Sequence, residues 1–258
     1  MKSIISTFLL IAASSIVQAQ YLVPFYNEKD LWGFKNDSGE VVVQPIYSFA
    51  KDFFLGFAKV VINGKWGYLN SAGKEITPLK YERLSNSYDD RDEELYERGY
   101  TYVKLNNKFG FIDSTGKEIT PLKYDQVSYF YAGYGIAVVE INGKKGLINK
   151  LGKEITQIKY DRVSSLTGGF AEVSINGKFG FVSKEGKEIE AKYDYVGGFS
   201  EGLSIVSINK KYGFINTKGK IAIPLKYDNA ASFEEGKARV SLDGKWFYID
   251  KNGNEVKQ

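Results

Sequence analysis

No cysteine and no histidine occur anywhere in the 258 residues. Without a thiolate or an imidazole there is no Cys or His nucleophile, no Ser-His-Asp triad and no ordinary zinc, copper or haem site. No disulfide can form, so stability must come from packing and strand pairing. Charge of one sign is also missing. Lys and Arg number 35 against 31 Asp and Glu, a formal net charge of +4. Lysine is spread evenly along the chain, which excludes the clustered basic stripe of a nucleic-acid binder. There is no Gly-x-Ser-x-Gly elbow, no phosphate loop and no unique pair of acids. No cofactor and no metal site is expected.

Long apolar runs are lacking too, except at the start. Lys2 precedes an apolar stretch from Ile4 to Ala13, interrupted only by Ser6 and Thr7, with small residues at Val17 and Ala19. A basic start, a short apolar core and that ending predict a signal peptide over residues 1–19, cleaved before Gln20. The run is shorter than the ~20 residues a spanning helix needs, although an uncleaved anchor is the alternative. No cysteine follows, so a bacterial lipid anchor is excluded. Secretion without a disulfide fits a bacterial envelope, periplasmic or secreted, with no integral membrane segment once the leader is gone.

What the chain does have is a repeat. A signature returns at Trp32-Gly33, Trp66-Gly67, Phe109-Gly110, Lys145-Gly146, Phe179-Gly180, Tyr212-Gly213 and Trp246-Phe247. The spacing is about 34 residues, with one longer interval between Trp66 and Phe109. Seven copies of one supersecondary unit fill a single domain over residues 20–258, and such a period means a repeat architecture.

Each copy reads as three strands. The first opens at a glycine (Gly56, Gly99, Gly135, Gly169, Gly202 or Gly236) and alternates apolar with polar residues, as in Ala58, Val60 and Ile62. That period of two predicts a half-buried strand. Asn63-Gly64, Asn142-Gly143, Asn176-Gly177 and Asp243-Gly244 are hairpin dipeptides of the type I′ turn. Asn106-Asn107 and Asn209-Lys210 stand in their place elsewhere. The second strand carries the signature, and a further turn follows with Asn, Asp or Ser first and glycine fourth, from Asn36–Gly39 to Asp250–Gly253. The third strand is Lys74-Glu75-Ile76-Thr77 and its relatives. Pro78 is expected to stop the meander, and Lys-Tyr-Asp then leads to the next unit. The recurring tyrosine is expected to pack, its hydroxyl meeting a polar group at the crossing.

Gly64-Lys65-Trp66-Gly67-Tyr68, the Asx-x-x-Gly turn, Gly73-Lys74-Glu75-Ile76 and the Lys-Tyr-Asp segments together resemble the WG (KWG) repeat family. The resemblance runs from about residue 21 to the end. Lys145 in place of the aromatic and Phe247 in place of the glycine depart from it. It implies a β-rich module, often on exported proteins, and brings no catalytic residues.

The expected fold is therefore all-β: three-stranded antiparallel meanders stacked as an open array, with a seven-unit propeller as the alternative. Function should sit where the copies differ. Tyr88–Arg98 forms an acidic insertion whose oxygens could hold calcium, but it lacks EF-hand spacing and reads first as a solvated loop. Tyr129, Tyr131 and Tyr134 are the candidate partner-binding residues, with Phe130 between them matching the core positions Phe170, Phe199 and Phe233. Asp125, Asp161, Asp194 and Asp228 recur at one place and read as crossing residues. The expectation is an exported, non-enzymatic interaction or scaffold module that meets a protein or an envelope glycan. The alternative is a carbohydrate-active hydrolase using carboxylates.

Overall fold

The structure, a computed structural model, describes residues 21–54, 56–82, 100–113, 115–128, 130, 131 and 133–257. The proposed leader and the acidic insertion lie outside the described residues. The chain divides into two compact units, residues 1–83 and 84–258. Among the described residues every element is a strand, and no sheet closes into a barrel.

In the first unit, β1 (Val23–Tyr26), β2 (Trp32–Lys35) and β3 (Val41–Tyr47) make sheet 1, and β4 (Phe49–Ala50), β5 (Phe57–Ile62) and β6 (Lys65–Asn70) make sheet 2. In the second unit, β7 (Tyr100–Leu105) and β8 (Lys108–Asp113) make sheet 3, and β9 (Gln126–Val127), β10 (Ile136–Ile141) and β11 (Lys144–Asn149) make sheet 4. Sheet 5 holds β12 (Arg162–Val163), β13 (Phe170–Ile175), β14 (Lys178–Ser183) and β15 (Glu188–Tyr193). Sheet 6 holds β16 (Tyr195–Val196), β17 (Leu203–Ile208), β18 (Lys211–Asn216) and β19 (Ile221–Tyr227). Sheet 7 holds β20 (Asn229–Ala230), β21 (Lys237–Leu242), β22 (Lys245–Asp250) and β23 (Glu255–Val256). The tandem antiparallel meander is thus present, and sheets 5, 6 and 7 carry one strand more than the sequence reading. The two residues after Lys-Tyr-Asp pair with the next long strand, as Val163 does with Val173, instead of crossing as a loop.

Local chemistry explains the turns. Asn63 and Gly64 have φ of 51° and 72°, and the five other hairpin dipeptides share that pair of positive angles. Asparagine and aspartate tolerate this left-handed conformation, and the primed turn matches the twist of the strands it joins. At the second turn the opener's side chain replaces missing backbone partners: Asn149 Oδ1 accepts from the amides of Leu151 and Lys153.

Proline does not end the third strand. Pro45 lies inside β3 and Pro224 inside β19. Both are sheet-edge strands, where a missing N–H facing outward costs no ladder bond. Threonine is what interrupts the strand. In the three copies reading Glu-Ile-Thr, the Thr77, Thr120 and Thr156 hydroxyls accept from the amides of Tyr68, Phe111 and Leu147. The side chain takes the hydrogen bond that a continuous third strand would make. Pairing then shrinks to single bridges such as Phe109 with Tyr124 and Ile112 with Glu118.

Successive sheets of the second unit share cores, so the long strands bury both faces and not the single face expected. Phe111, Tyr124, Phe130, Ala137, Val139 and Ile148 fill the space between sheets 3 and 4. Phe181, Ile189, Tyr193, Val196, Val206 and Ile215 fill that between sheets 5 and 6. Full burial of each phenyl ring contributes about 1.5–3 kcal/mol. In sheet 7, Lys237 and Arg239 are exposed where the equivalent Leu203 and Ile205 of sheet 6 are buried. That face of sheet 7 is therefore polar.

The glycines answer close approach as well as turn geometry. A Cβ at Gly180 would overlap the Ile189 carbonyl, because the returning strand passes directly over it. In sheet 7 the returning strand is only Glu255–Val256, paired with Ile249 and Tyr248. Among the described residues no strand crosses the signature position there, and Phe247 occupies it, packing against Tyr227.

Candidate functional site

The repeat-defining polar groups come first, because their partners decide what is left for a ligand. The aspartate of each Lys-Tyr-Asp ties two hairpin tips. Asp161 binds Lys144 of its own hairpin and accepts from the Asn176 amide of the next. Asp125, Asp194 and Asp228 do the same with Lys108 and Asn142, with Lys178 and Asn209, and with Lys211 and Asp243. The lysine hydrogen bond first, and the amide second, hold all four carboxyls below the usual carboxylate range. They stay ionised and engaged, as befits crossing residues.

The preceding tyrosine points the other way. Tyr124 donates to Glu154 of the next sheet at 3.2 Å, and Tyr47 to Glu75 at 3.0 Å. Tyr160 faces Glu188 in the same place, outside good hydrogen-bond geometry. Burial, with the adjacent carboxylate, drives all three phenols far above their ordinary value. The Tyr193 hydroxyl, like that of Tyr160, is buried with no hydrogen-bond partner, and it also lacks the facing acid. The corresponding acid is absent because Ile221 stands where five other copies have glutamate, and Ile221 is largely exposed.

Of the candidate partner-binding residues, Tyr129 lies outside the described residues. Tyr131 and Tyr134 are half-buried and pack against the core between sheets 4 and 5. Their loop is held by the Tyr131 amide on the Ile136 carbonyl and by positive φ at Gly133 and Gly135. Phe130 is core, its ring 4.9 Å from Phe111. The structure thus brings Tyr131 and Tyr134 together while showing only part of each ring to solvent. Among the described residues no group of acids is placed to hold a metal ion, and no helix is long and apolar enough to cross a membrane.

A cavity that the sequence reading did not single out lies between sheets 5 and 6. It has a volume of about 290 Å³ and is lined by Arg162, Ser164, Glu172, Ser174, Phe179 and Tyr195, among others. Arg162 faces Ser174 across the β12–β13 pairing, and Ser174 faces Phe179 across β13–β14, so the three share one side of the sheet. Tyr195 is exposed by about half. Burial raises the Glu172 carboxyl above its ordinary value, partly offset by Arg162. The missed signal lies in the copies themselves. Glu172 occupies the column that holds Val138 in sheet 4 and Ile205 in sheet 6, both buried. A shallower, polar hollow on sheet 7 is lined by Glu234, Glu235, Lys237, Arg239 and Tyr248.

No curated protein matches the chain in sequence. Several solved structures show a loose likeness. Hsv2 of Kluyveromyces lactis, with loop 6CD replaced by a Gly-Ser linker, is 14% identical, with a TM-score of 0.31 over 62% of this chain and 62% of its own. The chain thus spans less than two thirds of that protein's length. A eukaryotic initiation factor is 10% identical over 92% of this chain and 73% of its own, at a TM-score of 0.32. Apo AztD from Citrobacter koseri is 11% identical over 92% and 77%, at 0.32. Likeness at these scores decides nothing about ligand or architecture. The sequence motif is the informative match. A family model described as WG containing repeat covers residues 32–66, 66–91, 109–144, 146–179, 179–212 and 212–246. With six tandem matches over most of its length, the chain belongs to the WG-repeat family.

Proposed function

We propose that this protein is an exported, non-enzymatic interaction or scaffold module that presents its repeated β surface to a protein or an envelope glycan. The observation that carries this reading is the fate of the recurring polar groups. Asp125, Asp161, Asp194 and Asp228 are each engaged by a lysine and a backbone amide, and Tyr47 and Tyr124 by a glutamate. Residues that define the repeat hold neighbouring copies together. A partner is left with the positions where copies differ, as is general for repeat arrays. The same bonds weaken the hydrolase alternative, which needs one protonated acid opposite one free carboxylate. The recurring aspartates are instead held ionised. Export rests on the leader-like residues 1–19.

The experiment pairs binding with turnover. Protein recovered from the native envelope or medium should begin at Gln20 by intact mass. Affinity capture from envelope extract and a glycan array should show retention of a partner, with no hydrolysis of any retained glycan. A turnover abolished by Glu172→Gln would overturn the non-enzymatic reading, and recovery of Met1 in the exported protein would overturn cleavage.

A further inference from the structure

The cavity between sheets 5 and 6 differs from its counterparts in one decisive way. At the matching column, sheet 4 places Val138 and sheet 6 places Ile205, each buried and closing its own contact with the next sheet. Sheet 5 places Glu172 there, with Arg162 on the neighbouring strand, and the space stays open at about 290 Å³. Leaving a carboxylate where copies of the same unit bury a branched aliphatic side chain is costly for stability, since charge resists removal from water. Among the described sheets it is the one acid in this column, whose other occupants are Lys59, Tyr102, Val138, Ile205 and Arg239 in sheets 2, 3, 4, 6 and 7.

The lining narrows the ligand class. Arg162 and Glu172 are of opposite sign, so a simple anion meets the carboxylate and a simple cation meets the guanidinium. A neutral polyol satisfies both: its hydroxyls donate to Glu172 and accept from Arg162. Ser174 lies on the same side of the sheet as Arg162. The half-exposed ring of Tyr195 and the ring of Phe179 supply apolar faces for the C–H side of a pyranose. The size sits at the lower limit of small-ligand cavities, ~300 Å³ and upward, which suits one sugar ring and not a folded partner.

We propose that Arg162, Glu172, Ser174, Phe179 and Tyr195 form a subsite for one neutral pyranose residue of a glycan. This rests on the interaction-module reading above and commits it to a saccharide at this junction. The test uses the full chain and three variants: Glu172→Val, which installs the side chain that sheet 4 carries, Arg162→Gln, which copies Gln126 of sheet 4, and Tyr195→Ala. An array of neutral hexose, N-acetylhexosamine and uronic acid oligosaccharides is probed with each, and thermal melting is followed in parallel. Expected is retention of a neutral glycan by the parent, a loss of at least about tenfold in each variant, and a melting temperature in Glu172→Val equal to or above the parent's. Glycan binding unchanged in all three variants would overturn the location. If the parent retains no glycan but captures a protein from envelope extract, the sugar proposal falls while the module reading stands. If it retains neither, both fall.

Discussion

The junction between sheets 3 and 4 and the junction between sheets 5 and 6 are built from the same repeat and end differently. At the first, the buried Tyr124 hydroxyl meets Glu154, and the column later occupied by Glu172 holds Tyr102, packed on the shared core. At the second, the Tyr193 hydroxyl is buried without a partner, and a cavity opens around Glu172. The loss of the facing acid and the open column fall at one junction. A repeat protein can lose a hydrogen bond or an aliphatic plug at one seam because each seam carries only part of the total. The difference marks where the fold has room for something besides its own cohesion.

The comparison can be broken most severely through glycine. Gly186 has φ of 85°, and a Cβ there would overlap the Ile155 carbonyl of the preceding sheet. Gly177 has φ of 74° with open space around it. Gly186→Val should cost about 3 kcal/mol or more, combining left-handed strain with overpacking, and Gly177→Val about 1–2 kcal/mol from strain alone. Denaturant midpoints at constant m-value check both, and equal losses would deny the close approach.

Next in size is the tyrosine pair. Tyr124→Phe removes a donor from a bonded site and should cost about 1 kcal/mol, whereas Tyr193→Phe removes a group that has no bond and should be neutral or slightly stabilising. A matching loss at Tyr193 would show that its hydroxyl has a partner after all. Conversely, Ile221→Glu restores the acid that other copies carry and should raise stability by up to about 1 kcal/mol. The same change removes a largely exposed isoleucine. A gain in Ile221→Glu that survives in the Tyr193→Phe background would assign it to the surface and not to the new bond.

The smallest effect expected is at the hairpin tips. Asp125, Asp161, Asp194 and Asp228 are depressed by their lysine and amide partners. A depressed folded value means that the stabilisation is present above the unfolded aspartate range, near pH 4, and is lost as pH falls through the folded values. The phenols of Tyr47, Tyr124 and Tyr160 are raised. Their share is complete below about pH 10 and is lost as pH rises toward the folded values. Asp161→Asn should therefore flatten the acid limb of a stability–pH curve and leave the alkaline limb unchanged. Tyr124→Phe should do the reverse. These exposed pairs are salt-sensitive, and their loss should shrink further at high ionic strength.

Much of this was legible in the residues. Turn dipeptides and fourth-position glycines announce positive φ directly, and every described instance has it. The third strand was harder, because its interruption comes from threonine hydroxyls standing in for backbone carbonyls. That is a tertiary choice, invisible to a reading based on proline. The Tyr131 and Tyr134 rings drew attention by their density, yet local chain reversal folds them partly back onto the core. Glu172 does not stand out in the sequence, because a charge alternating with apolar residues reads as a solvent-facing position. Only the stacking of sheet on sheet turns that face inward, and then an acid beside Val138 and Ile205 in alignment becomes an anomaly.

The aspartate tie also bears on how such a chain lengthens. Asp161 belongs to one copy by sequence but is bonded by a lysine before it and an amide after it, at offsets of 17 and 15 residues. A duplication that begins at one aspartate and ends at the next tyrosine takes its lysine from the copy before and supplies a lysine to the copy after, as Lys178 does for Asp194, so each aspartate still meets both partners wherever the neighbouring copies keep the tie. Unequal recombination between copies therefore leaves no orphaned carboxylate at the scar. Copy number can drift by whole periods while each new seam arrives already closed, and one seam is then free to diverge.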